Sequence, residues 1–119
     1  YLRDLYPTFC ELAGTLLPSS VQGRSLLPVL KQEKRSVYPH IFGHYEDVQR
    51  MVRDERWKLI WYPKITRWQL FDLKQDPDEL NDLSGDPARS GVRLRLHQTM
   101  AEWFKSVGDP LEWGDATPR

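Results

Sequence analysis

Six consecutive residues, Trp57-Lys58-Leu59-Ile60-Trp61-Tyr62, constrain the fold of this chain most. A β-strand turns successive side chains to opposite faces, so Trp57, Leu59 and Trp61 share one face while Lys58, Ile60 and Tyr62 share the other. Pro63, which has no backbone N–H, ends the run. A second strand pattern, Trp68 to Leu73, follows after a short connection. Parallel strands need a long crossover, so strands joined this closely pair antiparallel. Upstream, residues 38–45 are rich in aromatic and β-branched side chains, and Arg50 to Arg53 reads as another short strand. Asp54 and Glu55 supply the turn between that strand and Trp57. Residues 36–73 thus predict three to four antiparallel strands.

The next signal is helical. Asp86-Pro87 reads as an N-cap followed by the first helical residue. Val92, Leu96, Met100, Trp103, Phe104 and Val107 then recur at spacings of three and four, which predicts one apolar helix face. Arg89, Arg93, Gln98, Glu102 and Lys105 are expected on the opposite side, with His97 solvated among them. Gly108 suits the left-handed position that ends a helix. A sheet and a helix with one apolar face each must cover one another. The reading is therefore an α+β fold: an antiparallel sheet of three to four strands with one long C-terminal helix packed across it. Between sheet and helix, Asp76-Pro77 marks a turn, and Leu80 and Leu83 are expected to anchor the loop that follows.

A short helix and a loop precede the sheet. Leu2, Leu5, Tyr6, Phe9, Leu12 and Ala13 fall at helical spacing, with Asp4 as N-cap, Pro7 in the first turn and Gly14 as terminator. Pro18, Gly23 and Pro28 break the following stretch, where Leu26 to Leu30 suits a single helical turn. Lys31 to Arg35 reads as a solvated boundary. The division expected is residues 1–35, then a sheet-plus-helix subdomain over 36–108, then an extended tail over 109–119.

Composition narrows the function classes. The chain has 119 residues, about one domain's length. Its 17 basic and 17 acidic side chains balance, so there is no net charge to attract a phosphate backbone. Arg50, Arg53, Arg56, Lys58, Lys64 and Arg67 do interleave with Trp57, Trp61 and Trp68. The alternation turns those tryptophans inward, however, and Asp47, Asp54, Glu55 and Asp72 neutralise the patch, so no nucleic-acid partner is expected. No apolar run reaches the ~20 residues needed to cross a bilayer, so no membrane partner is expected either. A lone cysteine, Cys10, excludes an internal disulfide and is read as a packed side chain. One Cys and three His do not supply the usual zinc spacing.

Signals for catalysis are sparse. Ser19, Ser20 and Ser25 lack a G-x-S-x-G elbow, and Gly23-Arg24-Ser25 lacks the glycines of a phosphate cradle. His40 and His44 lie four residues apart on a predicted strand, on one face and roughly 13 Å apart, too far to share a metal. Two readings of them stand: they border a ligand site together with Tyr38, Tyr45 and Glu46, or they are ordinary surface histidines.

Three segments together resemble the C-terminal end of the sulfatases, the formylglycine-dependent branch of the alkaline-phosphatase superfamily. Asp4-Leu5-Tyr6-Pro7-Thr8, Leu12-Ala13-Gly14 and Val21-Gln22-Gly23-Arg24-Ser25-Leu26-Leu27-Pro28 are similar to a D-x-x-P-T…L-A-G…G-x-S-L-x-P run. Residues 50–60, RMVRDERWKLI, resemble the R-x-V-R-T-x-R-Y-K-L-I hairpin. Leu70-Phe71-Asp72-Leu73 through Asp76-Pro77-Asp78-Glu79 to Leu83 resemble E-L-Y-D-L-x-x-D-P-x-E-x-x-N-L. Order and spacing over about residues 4 to 108 make the combination specific.

The resemblance implies that residues 1–35 close a large α/β catalytic domain and that the rest is a structural subdomain completing the substrate cleft. It implies a sulfuric ester hydrolase as the parent, acting on a sulfated small molecule or saccharide. Formylglycine and a calcium or magnesium ion would be held by residues upstream of the match. Cys10-Glu11-Leu12-Ala13-Gly14 does not fit the C-x-[PA]-x-R nucleophile motif, so this chain alone is not expected to catalyse the reaction. Many relatives are exported to the periplasm, the cell exterior or the lysosome. Within the family the loop before the hairpin borders the cleft, which points to His44 as a substrate contact, with Tyr45 and Arg50 as further candidates. Two other readings compete: the end of a related phosphodiester or phosphonate-ester hydrolase, and a free-standing interaction module. Without its parent catalytic domain, the apolar helix at the N-terminal end would be uncovered. Self-association or a poorly ordered N-terminal third is then expected.

Overall fold

The computed structural model describes residues 1–111, which form two compact units, Tyr1–Pro39 and a second from His40 onward. In the first unit a 3-10 turn over Leu2–Asp4 leads into helix α1 (Leu5–Leu12), and a loop leads to the single turn α2 (Leu27–Leu30). Asp4 does not cap α1 with its side chain, as its position had suggested. The carboxylate is fully buried and used elsewhere: Oδ1 accepts the Arg24 N–H at 2.9 Å and the Tyr38 hydroxyl at 2.7 Å. Thr8 Oγ1 donates to the Asp4 carbonyl at 2.6 Å and accepts the Leu26 N–H at 2.9 Å. The buried residues of α1 are Pro7 and Thr8. Leu2, Leu5, Phe9 and Leu12, which set the apolar period, are exposed. Polar contacts therefore hold this unit, and its apolar helix face points outward.

The second unit carries the sheet. Strands β1 (Ile41–Tyr45), β2 (Gln49–Arg53), β3 (Trp57–Tyr62) and β4 (Arg67–Asp72) pair antiparallel in chain order. Strand β1 begins at Ile41 rather than near Tyr38, since Pro39 cannot donate to a ladder. His40 therefore sits outside the strand and does not form a same-face pair with His44. The Asp54 carboxylate closes the β2–β3 turn by accepting N–H groups of Arg56 and Trp57 at 2.8 and 2.6 Å.

Helix α3 (Ser90–Ser106) grows out of a 3-10 turn over Pro87–Arg89, where Asp86 accepts the Ala88 N–H at 2.9 Å. Leu96, Met100 and Phe104 on α3 meet Val52, Trp57, Leu59, Trp61 and Leu70 in one buried cluster. The inward alternation of Trp57, Leu59 and Trp61 holds. Four details of the surroundings differ. Arg93, expected outside, is 6% exposed, because it falls four residues before His97 and seven before Met100 on the sheet-facing side. His97 is half-buried against the Trp68 ring, 5.2 Å between centroids, rather than solvated. Val107 is exposed, because α3 stops at Ser106. Leu80 is also exposed, and polar contacts anchor its loop: Asp82 accepts the Leu70 N–H, and Lys58 pairs with Glu79 at 2.6 Å. Leu83 does pack on the core. Of the expected tail, Asp109 to Leu111 are described; the remainder lies outside the described residues.

Candidate functional site

Sheet register decides which side chains meet. His44 pairs with Arg50 across β1 and β2, Arg50 with Trp61, and Trp61 with Trp68. Cross-strand partners share a face, so these four form one row on the side that α3 covers. Phe42, Val52, Leu59 and Leu70 form the next row and lie deeper in the core. The His44 row runs beside the β1–β2 turn, where the C-terminal end of α3 arrives.

That meeting creates an open pocket of about 420 Å³. His44, Glu46, Asp47 and Arg50 form the sheet side of its wall; Trp103, Phe104 and Asp109 contribute from the helix side. The His44 ring stands edge-on to Phe104, 6.5 Å between centroids at 87°. Trp103 is fixed by face-to-face stacking on Phe42 at 4.3 Å. Asp47 and Lys64 pair at 2.9 Å, both well exposed, a contact of little energetic weight.

Asp109 reaches the pocket because of how α3 ends. Gly108 has φ +74°, the left-handed conformation. The Gly108 N–H donates to the Lys105 carbonyl at 3.2 Å and the Asp109 N–H to the Phe104 carbonyl at 3.0 Å. This paired arrangement is a Schellman turn. It folds Asp109 back toward the sheet, where its carboxylate grips Arg50 at both ends: Nε to Oδ2 at 2.5 Å and Nη2 to Oδ1 at 3.0 Å. Arg50 Nη1 donates to the carbonyls of Glu46 and Gln49 at 2.5 and 2.9 Å. Both side chains of the pair are about 95% buried. Hydrogen bonds from Arg50 hold the Asp109 carboxyl below the usual carboxylate range, against the opposing effect of burial.

The residues singled out from sequence fare differently. His44 lies on the pocket wall with its side chain accessible. Tyr45, next along the strand, points to the opposite sheet face, is 63% exposed and is not part of that wall. Arg50 lines the pocket, but four of its five N–H groups are already donated within the protein. Asp109, Trp103 and Phe104 were not read as site residues. Gly108 was the available signal for Asp109, since a left-handed C′ residue reverses the chain direction after it. Of the basic residues interleaved with the tryptophans, Arg56 pairs with Asp72 at 2.7 Å, Lys58 with Glu79 and Lys64 with Asp47. Among the described residues, no group of three or more His, Cys, Asp and Glu side chains is placed to hold a metal ion. Among the described residues no helix is long and apolar enough to cross a membrane.

A four-stranded antiparallel sheet crossed by one helix, with a pocket where the helix ends beside the first hairpin, defines a sheet-and-helix subdomain of a known class. The chain belongs to the family described as N-sulphoglucosamine sulphohydrolase, C-terminal, which it matches over residues 2–106. It is 33% identical to an N-acetylglucosamine-6-O-sulfatase of Bacteroides thetaiotaomicron, over 89% of this chain and 21% of that protein. A solved structure described as a complex with its substrate D-glucosamine-2-N,6-O-disulfate superposes with TM-score 0.75 at 30% identity. That match covers 90% of this chain and 24% of the other. A phosphonate monoester hydrolase from Silicibacter pomeroyi shares the fold at TM-score 0.64 and 25% identity, over 90% of this chain and 25% of that one. The chain thus spans a quarter or less of the length of each of these proteins and corresponds to the C-terminal subdomain of sulfatases.

Proposed function

We propose that this chain forms the C-terminal part of a sulfatase that hydrolyses sulfate groups on a saccharide, and that its role is to complete one wall of the substrate cleft. His44 carries the reading. It is an accessible imidazole on the wall of a pocket that also presents aromatic faces and carboxylates. That mixture suits a sugar ring, which offers both hydroxyls and apolar C–H faces. The sugar-sulfate names of the relatives above favour a saccharide over a phosphonate ester. In this reading residues 1–35 belong with the parent catalytic domain and residues 36–108 form the cleft-completing subdomain. Formylglycine and a calcium or magnesium ion would be supplied by that parent domain. The described residues offer no ligand set for such an ion, so no reaction step is assigned to them. His44 would donate or accept a hydrogen bond at a leaving-group hydroxyl, with Arg50 on the same wall as a further candidate; Tyr45, turned to the opposite sheet face, lies off this wall.

The test uses the full-length protein with a 6-O-sulfated glucosamine as probe. His44→Ala is expected to lower kcat/KM about tenfold, the size of one lost hydrogen bond in a ligand site. An unchanged kcat/KM would remove His44 from the cleft. A C-x-[PA]-x-R motif in the adjoining upstream sequence is expected; its absence would overturn the sulfatase reading itself.

A further inference from the structure

We infer that Asp109 and Arg50 are a positioning pair: together they clamp the β1–β2 turn against the end of α3 and so fix His44 in the pocket, without contacting the ligand themselves. The inference rests on the reading of His44 as a ligand contact, and it reassigns Arg50 from contact to support.

Geometry carries the argument. The turn linking β1 to β2 contains Glu46, a non-glycine residue with φ +44°. A side chain in that region is held there only by surrounding contacts. Arg50 supplies them, donating to the carbonyls of Glu46 and Gln49 from a single nitrogen. Its remaining fork is occupied by Asp109, which is itself placed by the Schellman turn at Gly108. Below the guanidinium lies the Phe104 ring, 5.5 Å from Cζ, and the same ring meets the edge of His44. Turn, helix end and His44 ring therefore meet at one junction, whose buried members are Arg50, Phe104 and the Asp109 side chain. Only one N–H of Arg50 is left for a ligand, and both carboxylate oxygens of Asp109 face Arg50. A cation committed in this way shapes a site and does not read its occupant.

The two roles of Arg50 predict opposite mutational patterns. If Arg50 read the charge of the ligand directly, Arg50→Lys would keep most of the affinity, and Asp109→Asn would free the cation and leave binding equal or tighter. If the pair positions, Lys cannot reproduce a planar fork that serves a carboxylate and two carbonyls at once. Both changes should then weaken binding alike.

The experiment measures kcat and KM of the full-length protein on a 6-O-sulfated glucosamine for Asp109→Asn, Arg50→Lys, His44→Gln and the Asp109→Asn/His44→Gln double variant. Amide exchange of residues 45–50 and thermal unfolding are followed alongside. Asp109→Asn and Arg50→Lys are each expected to raise KM about tenfold with kcat within about twofold, and to speed exchange across the turn. The double variant should bind no worse than His44→Gln alone, because the pair acts through His44. Retained affinity in Arg50→Lys, additive losses in the double variant, or unaltered exchange at the turn in Asp109→Asn would each overturn the inference. If His44→Gln alone leaves KM unchanged, the His44 reading fails, and the exchange data still decide whether the pair holds the turn. Asn is close to isosteric with Asp, and exchange is read residue by residue. Global unfolding would appear as a loss of protection throughout the chain.

Discussion

Asp72 and Asp109 are buried carboxylates, each facing an arginine in bidentate contact. Hydrogen bonds from Arg56 lower the Asp72 carboxyl, and those from Arg50 lower Asp109. A carboxyl whose folded pKa lies below its unfolded value of about 3.9 stabilises the fold above that pH. The contribution disappears as pH falls through the folded value. Stability should therefore change little between about pH 7 and 5 on account of these two groups and fall below about pH 4. Asp72→Asn cannot take up the proton. Its thermal midpoint should be lower at neutral pH, and its decline toward pH 2 shallower. Melting followed by circular dichroism across pH 2 to 7 reads both effects, and an acid slope identical to that of the unmutated chain would refute the assignment. At this scale the sequence was partly legible. Trp57, Leu59 and Trp61 face inward as their alternation required. Arg93 was misplaced, because polarity argues for the surface until a particular fold buries a side chain. Asp4 stands at the N-cap position as read, but its carboxylate is spent on Arg24 and Tyr38 instead of the helix.

At the scale of elements, patterns that repeat were readable and single contacts were not. The four strands, the helix across them and its start at Asp86-Pro87 all follow from period and turn chemistry. The pocket depends on where two elements cross, and nothing in the local sequence near Asp109 names Arg50, 59 residues away in the chain. Helix α1 shows the converse. Its period is clear, yet Leu2, Phe9 and Leu12 are 87%, 62% and 60% exposed. An amphipathic helix with its apolar side in water gains little from forming alone, since most helical stability in proteins comes from burying that face. The isolated chain is therefore expected to associate through α1. Light scattering should show a mass above that of one chain, falling toward it when Leu5 and Phe9 are replaced by Glu. A monomer before any substitution would contradict this.

The two units differ in what holds them. Among the described residues, all ten buried hydrophobic side chains of the core, from Val52 to Phe104, lie in the unit that begins at His40. The unit Tyr1–Pro39 contributes none. Its buried residues are Asp4, Pro7 and Thr8, of which Asp4 is hydrogen-bonded to Arg24 and Tyr38 and Thr8 to Leu26. A net intramolecular hydrogen bond stabilises by about 1 kcal/mol, while a fully buried large apolar side chain contributes roughly 1.5–3 kcal/mol. A few such bonds do not offset the conformational entropy of ordering nearly forty residues, at about 1–2 kcal/mol each. The first unit should therefore open well before the sheet. Native-state hydrogen exchange on the chain is expected to show β2, β3 and the 96–104 stretch of α3 exchanging only through global unfolding. Amides of α1 should exchange through local opening, at least about tenfold faster. When the chain is part of the full-length protein, that difference should shrink, because the apolar face of α1 would then be covered. Equal protection of both units in the isolated chain would mean that polar contacts alone hold the first unit, and would remove the reason for assigning α1 to the parent domain.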